Sequence, residues 1–465
     1  MTLFATVDPR PIHFMGIGGA GMSGLALLAR QQGVAVTGCD NDDDPPGAAD
    51  LAALGVDVWR GHDVGHVAGA RAVVVTAAVA GDHPEVERAR ALGIPVVRRA
   101  DALGQAVAGG TLVAVAGTHG KTTTTVMVTE ALAAAGRNPT GLAGGRVAPW
   151  GGNARVGGRE LYVVEADEFD RAFLSLRPAV AVVNNVEADH LECYGTVDAL
   201  EQAFAEFAGR ARRVISGGDD PGARRVAAAL SVPVWRVGLG ADADVHIAEY
   251  ELGERSSTAR VVLPGGGAVT LRLRVPGLHN MRNAAAALAV ALELGADLER
   301  CAAALEGFSG VARRFERVGE ARGVMVVDDY AHHPTEVQAT LAAARQAFPR
   351  QRVVAVFQPH LFSRTALHGE ALGRALAAAD MVVVAPIYGA RERPLPGVTA
   401  DLVARGAARA GAATVAVRDR AALTERVAER VRPGDVVFTL GAGDVTRVGP
   451  ELLRRLEGAG SGERS

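Results

Sequence analysis

The chain has 465 residues, of which 49% are hydrophobic, and its 49 basic and 52 acidic side chains leave a formal charge of −3. That length is more than one core organises and sets an expectation of about three domains, while the near-balance of charge argues against a broad basic face and against nucleic acid as a partner. Cys39, Cys193 and Cys301 lie far apart without metal-type spacing, no apolar run nears the roughly 18 residues that cross a bilayer, and no basic-then-apolar leader opens the chain; free thiols, a cytoplasmic location and no membrane insertion are expected.

In chain order, Ile12 to Met15 reads as a buried strand running into Gly16-Ile-Gly18-Gly19-Ala20-Gly21, followed by a helical run from Met22 to Gln32 and a strand ending at Asp40. This G-x-G-x-x-G lets a pyrophosphate approach backbone N–H groups at a helix N-terminus, and an acidic residue about 20 positions on completes the dinucleotide fingerprint. Taken alone, its default ligand is NAD, and a glycine-rich turn without ligand is the bland alternative. Val73 to Thr76 and Ile94 to Val97 continue a βαβαβ pattern to about residue 107. His62 and His66 lie four apart; a zinc pair would need a cysteine or third ligand nearby, so they read as loop histidines near ligand or solvent.

From Thr111 an apolar strand leads into Gly117-Thr118-His119-Gly120-Lys121-Thr122-Thr123. The glycines free backbone N–H groups to close on phosphate, Lys121 offsets β/γ charge and Thr122 offers a hydroxyl to Mg²⁺. Val115 stands where the strict phosphate-loop pattern has its first glycine, so this is a shortened variant, and ATP is the ligand it implies. Leu161 to Val164 then delivers Glu165, Asp167, Glu168 and Asp170 to a strand end, a costly cluster unless a cation sits among them. Val180 to Val183 repeats the design, ending in Asn184-Asn185 and later His190, a second metal ligand or a helix cap. Short alternating strands from about Asp244 to Val275 predict a β insert. The helix that follows carries Asn280 and Asn283 on one face; Asn280 alone suits a cap, and the second amide suits adenine or phosphate recognition.

Val311 to Phe315 reads as a linker in which Arg314 is placed to reach a phosphate. Strands at Val324–Val327, Arg352–Phe357, Met381–Ala385 and Asp435–Thr439 then alternate with helices as a second doubly wound unit. Their ends carry Asp329, Tyr330, His332 and His333, then His360 and Arg364: a hydrogen-bonded loop anchor, or a site for a small zwitterion with Arg364 on the carboxylate and His or Asp near the amine. The tail from Glu457 is Gly/Ser-rich and expected to be disordered.

As a set, Gly16–Gly24, Ala116–Thr125, Glu165–Asp170, Asn185–His190, His279–Asn283, Arg313–Phe315, Asp328–Glu336 and Phe357–Thr365 make the chain resemble the Mur ligase family from Ile12 to about Val448. The resemblance implies an α/β ligase of three domains: Rossmann-like 1–107 for a UDP-sugar, a central P-loop ATP-binding α/β domain 108–311 with a small β insert, and Rossmann-like 312–465 for an amino acid. It implies ATP with Mg²⁺ or Mn²⁺, and the joining of L-alanine to the lactyl carboxylate of UDP-N-acetylmuramate through an acyl phosphate, in bacterial peptidoglycan synthesis. Under it Gly16, Gly18, Gly19, Ala20 and Gly21, with Asp40, His62 and Thr76, serve the UDP-sugar rather than NAD. Gly117 to Thr123 with Asn280, Asn283 and Arg314 serve ATP; Thr122, Glu165 and His190 hold metal; Tyr330, His332, His360 and Arg364 receive the amino acid.

The chemistry then falls to Lys121, Glu165, His190, Asp329 and His332, with the amine's base left open between Asp329 and His332. Shielding an acyl phosphate from water predicts closure of the third domain over the central one. No Asp-Asn-Pro-Arg motif of the diaminopimelate-adding relatives is present, which agrees with a small amino acid. Phe169 replaces a serine expected after Glu168, and Ala331 a glycine after Tyr330, which leaves loop detail open. The alternatives are a ligase that attaches a recycled tripeptide, a folate polyglutamate ligase, an NAD-dependent oxidoreductase using the first fingerprint, and a nucleotide-dependent regulatory module. A monomer and a homodimer are equally compatible with the sequence.

Overall fold

The computed structural model describes residues 3–42, 47–76, 78–390 and 392–458. The disorder expected of the tail falls mainly on residues 459–465, outside that description; the last helix runs to Gly458. The first sheet holds β1 (Ile12–Met15), β2 (Val36–Asp40), β3 (Asp57–Arg60), β4 (Ala72–Val75) and β5 (Val96–Arg98) in the order β3-β2-β1-β4-β5, every pairing parallel. The helices between them are α1 (Ala20–Gln31), α2 (Ala48–Ala53), α3 (Pro84–Ala91) and α4 (Arg99–Val107). β1 is buried at all four residues because its two faces meet different cores. Ile12 and Phe14 pack with Leu25 and Leu28 of α1, while Met15 and Cys39 pack with Val86 and Ala89 of α3. That double burial explains why the strand lacks polar alternation.

The second sheet has ten strands: β6 (Thr111–Ala116), β7 (Thr140–Val147), β8 (Gly152–Arg155), β9 (Leu161–Glu165), β10 (Val180–Val183), β11 (Arg213–Gly217), β12 (Val234–Gly238), β13 (Val245–Leu252), β14 (Ser257–Val262) and β15 (Ala268–Leu273). At its centre β10, β6 and β9 run parallel, so their carboxyl ends share one edge. α5 (Lys121–Ala134) leaves β6 directly. β13 to β15 form the expected insert, turning through Pro264–Gly267, where Leu263 N–H bonds the Gly267 carbonyl at 2.8 Å.

The third sheet comprises β16 (Glu316–Ala321), β17 (Val324–Asp329), β18 (Arg352–Phe357), β19 (Met381–Val384), β20 (Ala413–Ala416) and β21 (Asp435–Leu440), ordered β16-β17-β21-β18-β19-β20. Only β16 pairs antiparallel. The presumed linker is ordered: Val311 bridges Arg314, and Arg313 and Phe315 take left-handed φ of 60° and 51°. The chain divides into two compact units: one runs to Glu249 and adds Ala259–Leu271 and Arg282–Gly307, and the other comprises Tyr250–Thr258, Arg272–Met281 and the chain from Phe308. Among the described residues no helix is long and apolar enough to cross a membrane.

Candidate active site

In the first unit, Gly16 turns the chain out of β1 with φ +72°, and the Gly16 and Ile17 N–H groups bond the Cys39 carbonyl at 2.8 and 3.1 Å. Gly19 caps α1 without a side chain, leaving Ala20 and Gly21 in its first turn. The Gly18 N–H donates to Asp40 Oδ2 at 2.9 Å, so the acidic residue of the fingerprint binds the loop itself. Thr76 follows β4 and accepts the Ala78 N–H at 3.1 Å. His62 Nδ1 lies 3.2 Å from Glu85 Oε2 and 3.2 Å from Cys39 Sγ. On spacing alone His62 and His66 have no cysteine or third ligand near them; the fold brings His13, Cys39 and Glu85 from β1, β2 and α3 close to them.

The phosphate loop shows the same strand-to-helix turn with different contents. Gly117 and Gly120 have φ of +136° and +77°, and a Cβ on Gly120 would stand 2.9 Å from Asn283 Oδ1. Lys121 Nζ donates to the Gly117 carbonyl at 2.7 Å, the Thr118 carbonyl at 3.2 Å and Glu168 Oε1 at 2.8 Å. Burial alone would lower the Lys121 pKa, but Glu168, Asp167 and Glu165 outweigh it and hold the pKa above its usual value. Burial raises Glu168, which Lys121 only partly offsets. The two directions oppose one another over the pair; three acceptors around Nζ decide for the ammonium, since an ammonium only donates. Glu168 Oε2 is buried without a hydrogen-bond partner, an orphan acceptor suited to a site that takes a further cation.

Around this loop, Asn185 Oδ1 accepts the His119 N–H at 2.7 Å, and Asn184 Nδ2 donates to Thr124 Oγ1 at 3.0 Å. Thr122 and Thr123 are buried in the first turn of α5. Glu165 ends β9, and its carboxylate accepts the Gly144 N–H. His190 occupies the N-cap position of the helix Leu191–Tyr194 but makes no side-chain cap, sits at φ 52°, and packs edge-on against Phe169 at 5.2 Å. A non-glycine residue held left-handed is a common mark of a functional position. Two arginines tie this acidic turn to the first sheet: Arg99 to Asp167 at 3.8 Å and Arg98 to Asp170 at 3.4 Å. Arg99 also lines the glycine loop, its Nη1 lying 2.7 Å from where a Gly21 Cβ would be. Sequence reasoning missed Arg98, Arg99 and the loop roles of Asn184 and Asn185; only the Asn pair gave a signal, as polar residues at a strand end.

In the second unit, Asp329 ends β17 and accepts N–H bonds from Phe315 and Ala331, each at 2.8 Å. Its burial raises the carboxyl to about 6 despite Arg314 and those two bonds. Arg313 and Arg314 stack over Tyr330 at 4.8 and 5.1 Å, and Arg314 pairs with Glu336 at 3.6 Å. His332 Nδ1 lies 2.9 Å from the Tyr330 carbonyl, which makes Nδ1 the donor and Nε2 the basic nitrogen of the neutral ring. His332 and His360 ring centroids are 6.0 Å apart, and the buried Arg364 guanidinium meets His360 Nδ1 at 3.1 Å. Tyr330, His332, His360 and Arg364 therefore form one continuous cluster at the carboxyl edge of the third sheet. Asn280 lies inside the helix Leu278–Glu293 rather than capping it, its Nδ2 donating to the Pro276 carbonyl at 2.7 Å.

Three family models match in succession: the Mur ligase family catalytic domain over residues 11–111, the Mur ligase middle domain over 115–291 and the Mur ligase glutamate ligase domain over 313–443. A UDP-N-acetylmuramate–L-alanine ligase of Cutibacterium acnes is 46% identical over 455 residues, covering 96% of both chains. The chain belongs to the Mur ligase family. A second such relative, from Thermobifida fusca, is 46% identical over 458 residues and 96% of each chain. Among solved structures, the UDP-N-acetylmuramate-alanine ligase of Thermotoga maritima aligns with a TM-score of 0.81 at 28% identity, over 97% of this chain and 100% of that one. A murein peptide ligase of Psychrobacter arcticus aligns at 0.72 and 25% identity, over 96% and 98%. The three sheets of this Mur ligase thus carry the family's three-domain α/β fold.

Proposed function

We propose that this chain joins L-alanine to the lactyl carboxylate of UDP-N-acetylmuramate at the expense of ATP. The observation that carries the reading is a lysine-bearing phosphate loop and the carboxylate-bearing end of β9 on one sheet edge. The substrates follow from relatives 44–46% identical over 96–97% of the chain that bear this ligase's name. The proposed domains are 1–107 for the UDP-sugar, 108–311 for ATP and 312–465 for the amino acid.

Amide formation from a carboxylate needs a better leaving group than oxide, and transfer of the γ-phosphoryl to the lactyl oxygen supplies it. Lys121 offsets charge on the γ-phosphoryl during transfer, having exchanged its bonds to Gly117, Thr118 and Glu168 for phosphate oxygens. The N–H groups of residues 117–123 hold the phosphates, with Asn283 beside Gly120 fixing the loop, and Asn280 and Arg314 serve the nucleotide. Thr122, Glu165 and His190 offer oxygen and imidazole donors that suit Mg²⁺ or Mn²⁺, which supplies charge neutralisation when bound. Gly16 to Gly21, with His62 and Thr76, hold the UDP-sugar, and Asp40 positions that loop through the Gly18 N–H.

Arg364 and Tyr330 bind the amino acid, and His332 Nε2 takes the proton from its ammonium. Asp329 is the lesser candidate for that base, because both its oxygens already accept backbone N–H bonds. The amine then attacks the acyl carbon and phosphate leaves. Phosphate release from ATP with UDP-N-acetylmuramate tests the reading: L-alanine should support it best, and turnover with a recycled tripeptide or glutamate in its place would refute the assignment.

A further inference from the structure

The first sheet buries a group of side chains that no step above uses. His13 of β1, Cys39 of β2, His66 from the segment between β3 and β4, and Glu85 in the first turn of α3 place one donor atom each within 4.8 Å of the others. Cys39 Sγ lies 3.4 Å from His13 Nε2 and 3.6 Å from Glu85 Oε1, and His66 Nδ1 lies 3.0 Å from the same Glu85 oxygen. A tetrahedral ion with bonds of about 2.0–2.3 Å sets its ligands about 3.3–3.7 Å apart, so these separations are close to the edges of a zinc polyhedron. His13, Cys39 and Glu85 are each 0% exposed.

The donor set also closes its own charge. A thiolate and a carboxylate cancel a divalent ion, and two neutral imidazoles complete four ligands, so a buried site ends neutral. Without an ion, Cys39 is a thiol forced against a buried carboxylate, and burial with Glu85 raises its pKa. Outer contacts are in place as well. Thr37 Oγ1 sits 3.2 Å from His13 Nδ1 and leaves Nε2 toward Cys39, the Asp63 N–H donates to Glu85 Oε1 at 2.9 Å, and Trp59 stacks on the His66 ring at 4.8 Å.

We infer that His13, Cys39, His66 and Glu85 form a structural site for a divalent transition ion of the zinc class, pinning β1, β2, the β3–β4 segment and α3 together. The site lies on the α3 face of the sheet, whereas α1 and the glycine loop it serves pack on the other. Binding displaces one proton from the Cys39 thiol and changes no oxidation state.

The test uses full-length protein stripped with chelator and titrated with Co²⁺. One equivalent should give tetrahedral d–d bands and a thiolate-to-cobalt charge-transfer band, both displaced by one equivalent of Zn²⁺, and Zn²⁺ should raise the melting temperature. Cys39→Ser should lose the charge-transfer band while Cys193→Ser and Cys301→Ser keep it. No band in the wild type, or a band that survives Cys39→Ser, overturns the site. If Cys39→Ser does not fold, His66→Gln serves: it should keep the thiolate band and bind Zn²⁺ at least about tenfold more weakly, and unchanged affinity overturns the site.

Discussion

The two glycine turns of the first unit share a geometry and differ in charge. Gly16 and Gly120 both take φ near +75° where a parallel strand hands over to a helix, a setting in which backbone N–H groups can face an anion. The first turn contains no cation and meets its own carboxylate, Asp40, at Gly18. The second holds a buried ammonium against Glu168. On the proposed assignment the first turn has only to hold a diphosphate, with Arg99 at its rim, whereas the second must accompany a phosphoryl group that moves, which needs a charge that follows it. On that assignment glycine spacing points to a phosphate site, and the residue after the last glycine points to its chemistry.

Removing Lys121 should break the second turn and spare the first. Lys121→Ala is expected to lower kcat by about 10²–10³-fold or more, the worth of one electrostatic donor, with UDP-sugar affinity unchanged; equal losses in both would mean that the loops are not independent. Isothermal titration with each nucleotide, alongside phosphate release, reads the two effects separately.

Asp329 extends the contrast to a buried strand-end carboxylate in the second unit. Its pKa is raised from 3.8 to about 6, so its contribution to stability is present below pH 3.8 and lost as pH rises through about 6. Asp329→Asn places an amide against two N–H donors and is destabilising throughout. Its deficit against wild type should shrink by up to about 3 kcal/mol between pH 4 and pH 7 in urea unfolding. A constant deficit would show that Asp329 does not titrate there.

Crowding separates the glycines themselves. Gly16→Ala meets nothing within 4 Å and should lose only the backbone term, about 1–2 kcal/mol. Gly120→Ala adds a contact with Asn283 Oδ1 at 2.9 Å and should cost more and raise the KM for ATP. The smallest effect belongs to Asp40→Asn, which keeps an acceptor for Gly18 but removes a charge beside the pyrophosphate. The KM for the UDP-sugar should fall about two- to threefold, of the order of one screened charge contact, and a rise would make Asp40 itself a nucleotide ligand.

Much of the fold was legible in the sequence. β1, β10 and β18 fall on the apolar runs that predict them, because strands buried on both faces leave uninterrupted Val, Ile and Ala signals. The cluster of Tyr330, His332, His360 and Arg364 was legible too, since parallel strands bring their ends to one edge. Contacts set by packing across faces were not. His13, Cys39, His66 and Glu85 are scattered over 73 positions of sequence and meet only because strand alternation turns His13 and Cys39 to the side that α3 covers. Arg99 was equally silent, its meeting with Asp167 depending on how two sheets of one unit pack.

The central claim is that the ammonium loop moves a phosphoryl group onto the sugar's carboxylate. It is tested most directly by supplying UDP-N-acetylmuramate labelled with ¹⁸O in the lactyl carboxylate, with ATP and L-alanine, and analysing the phosphate released. The account predicts one ¹⁸O atom in each phosphate; unlabelled phosphate formed at the rate of ligation would contradict it.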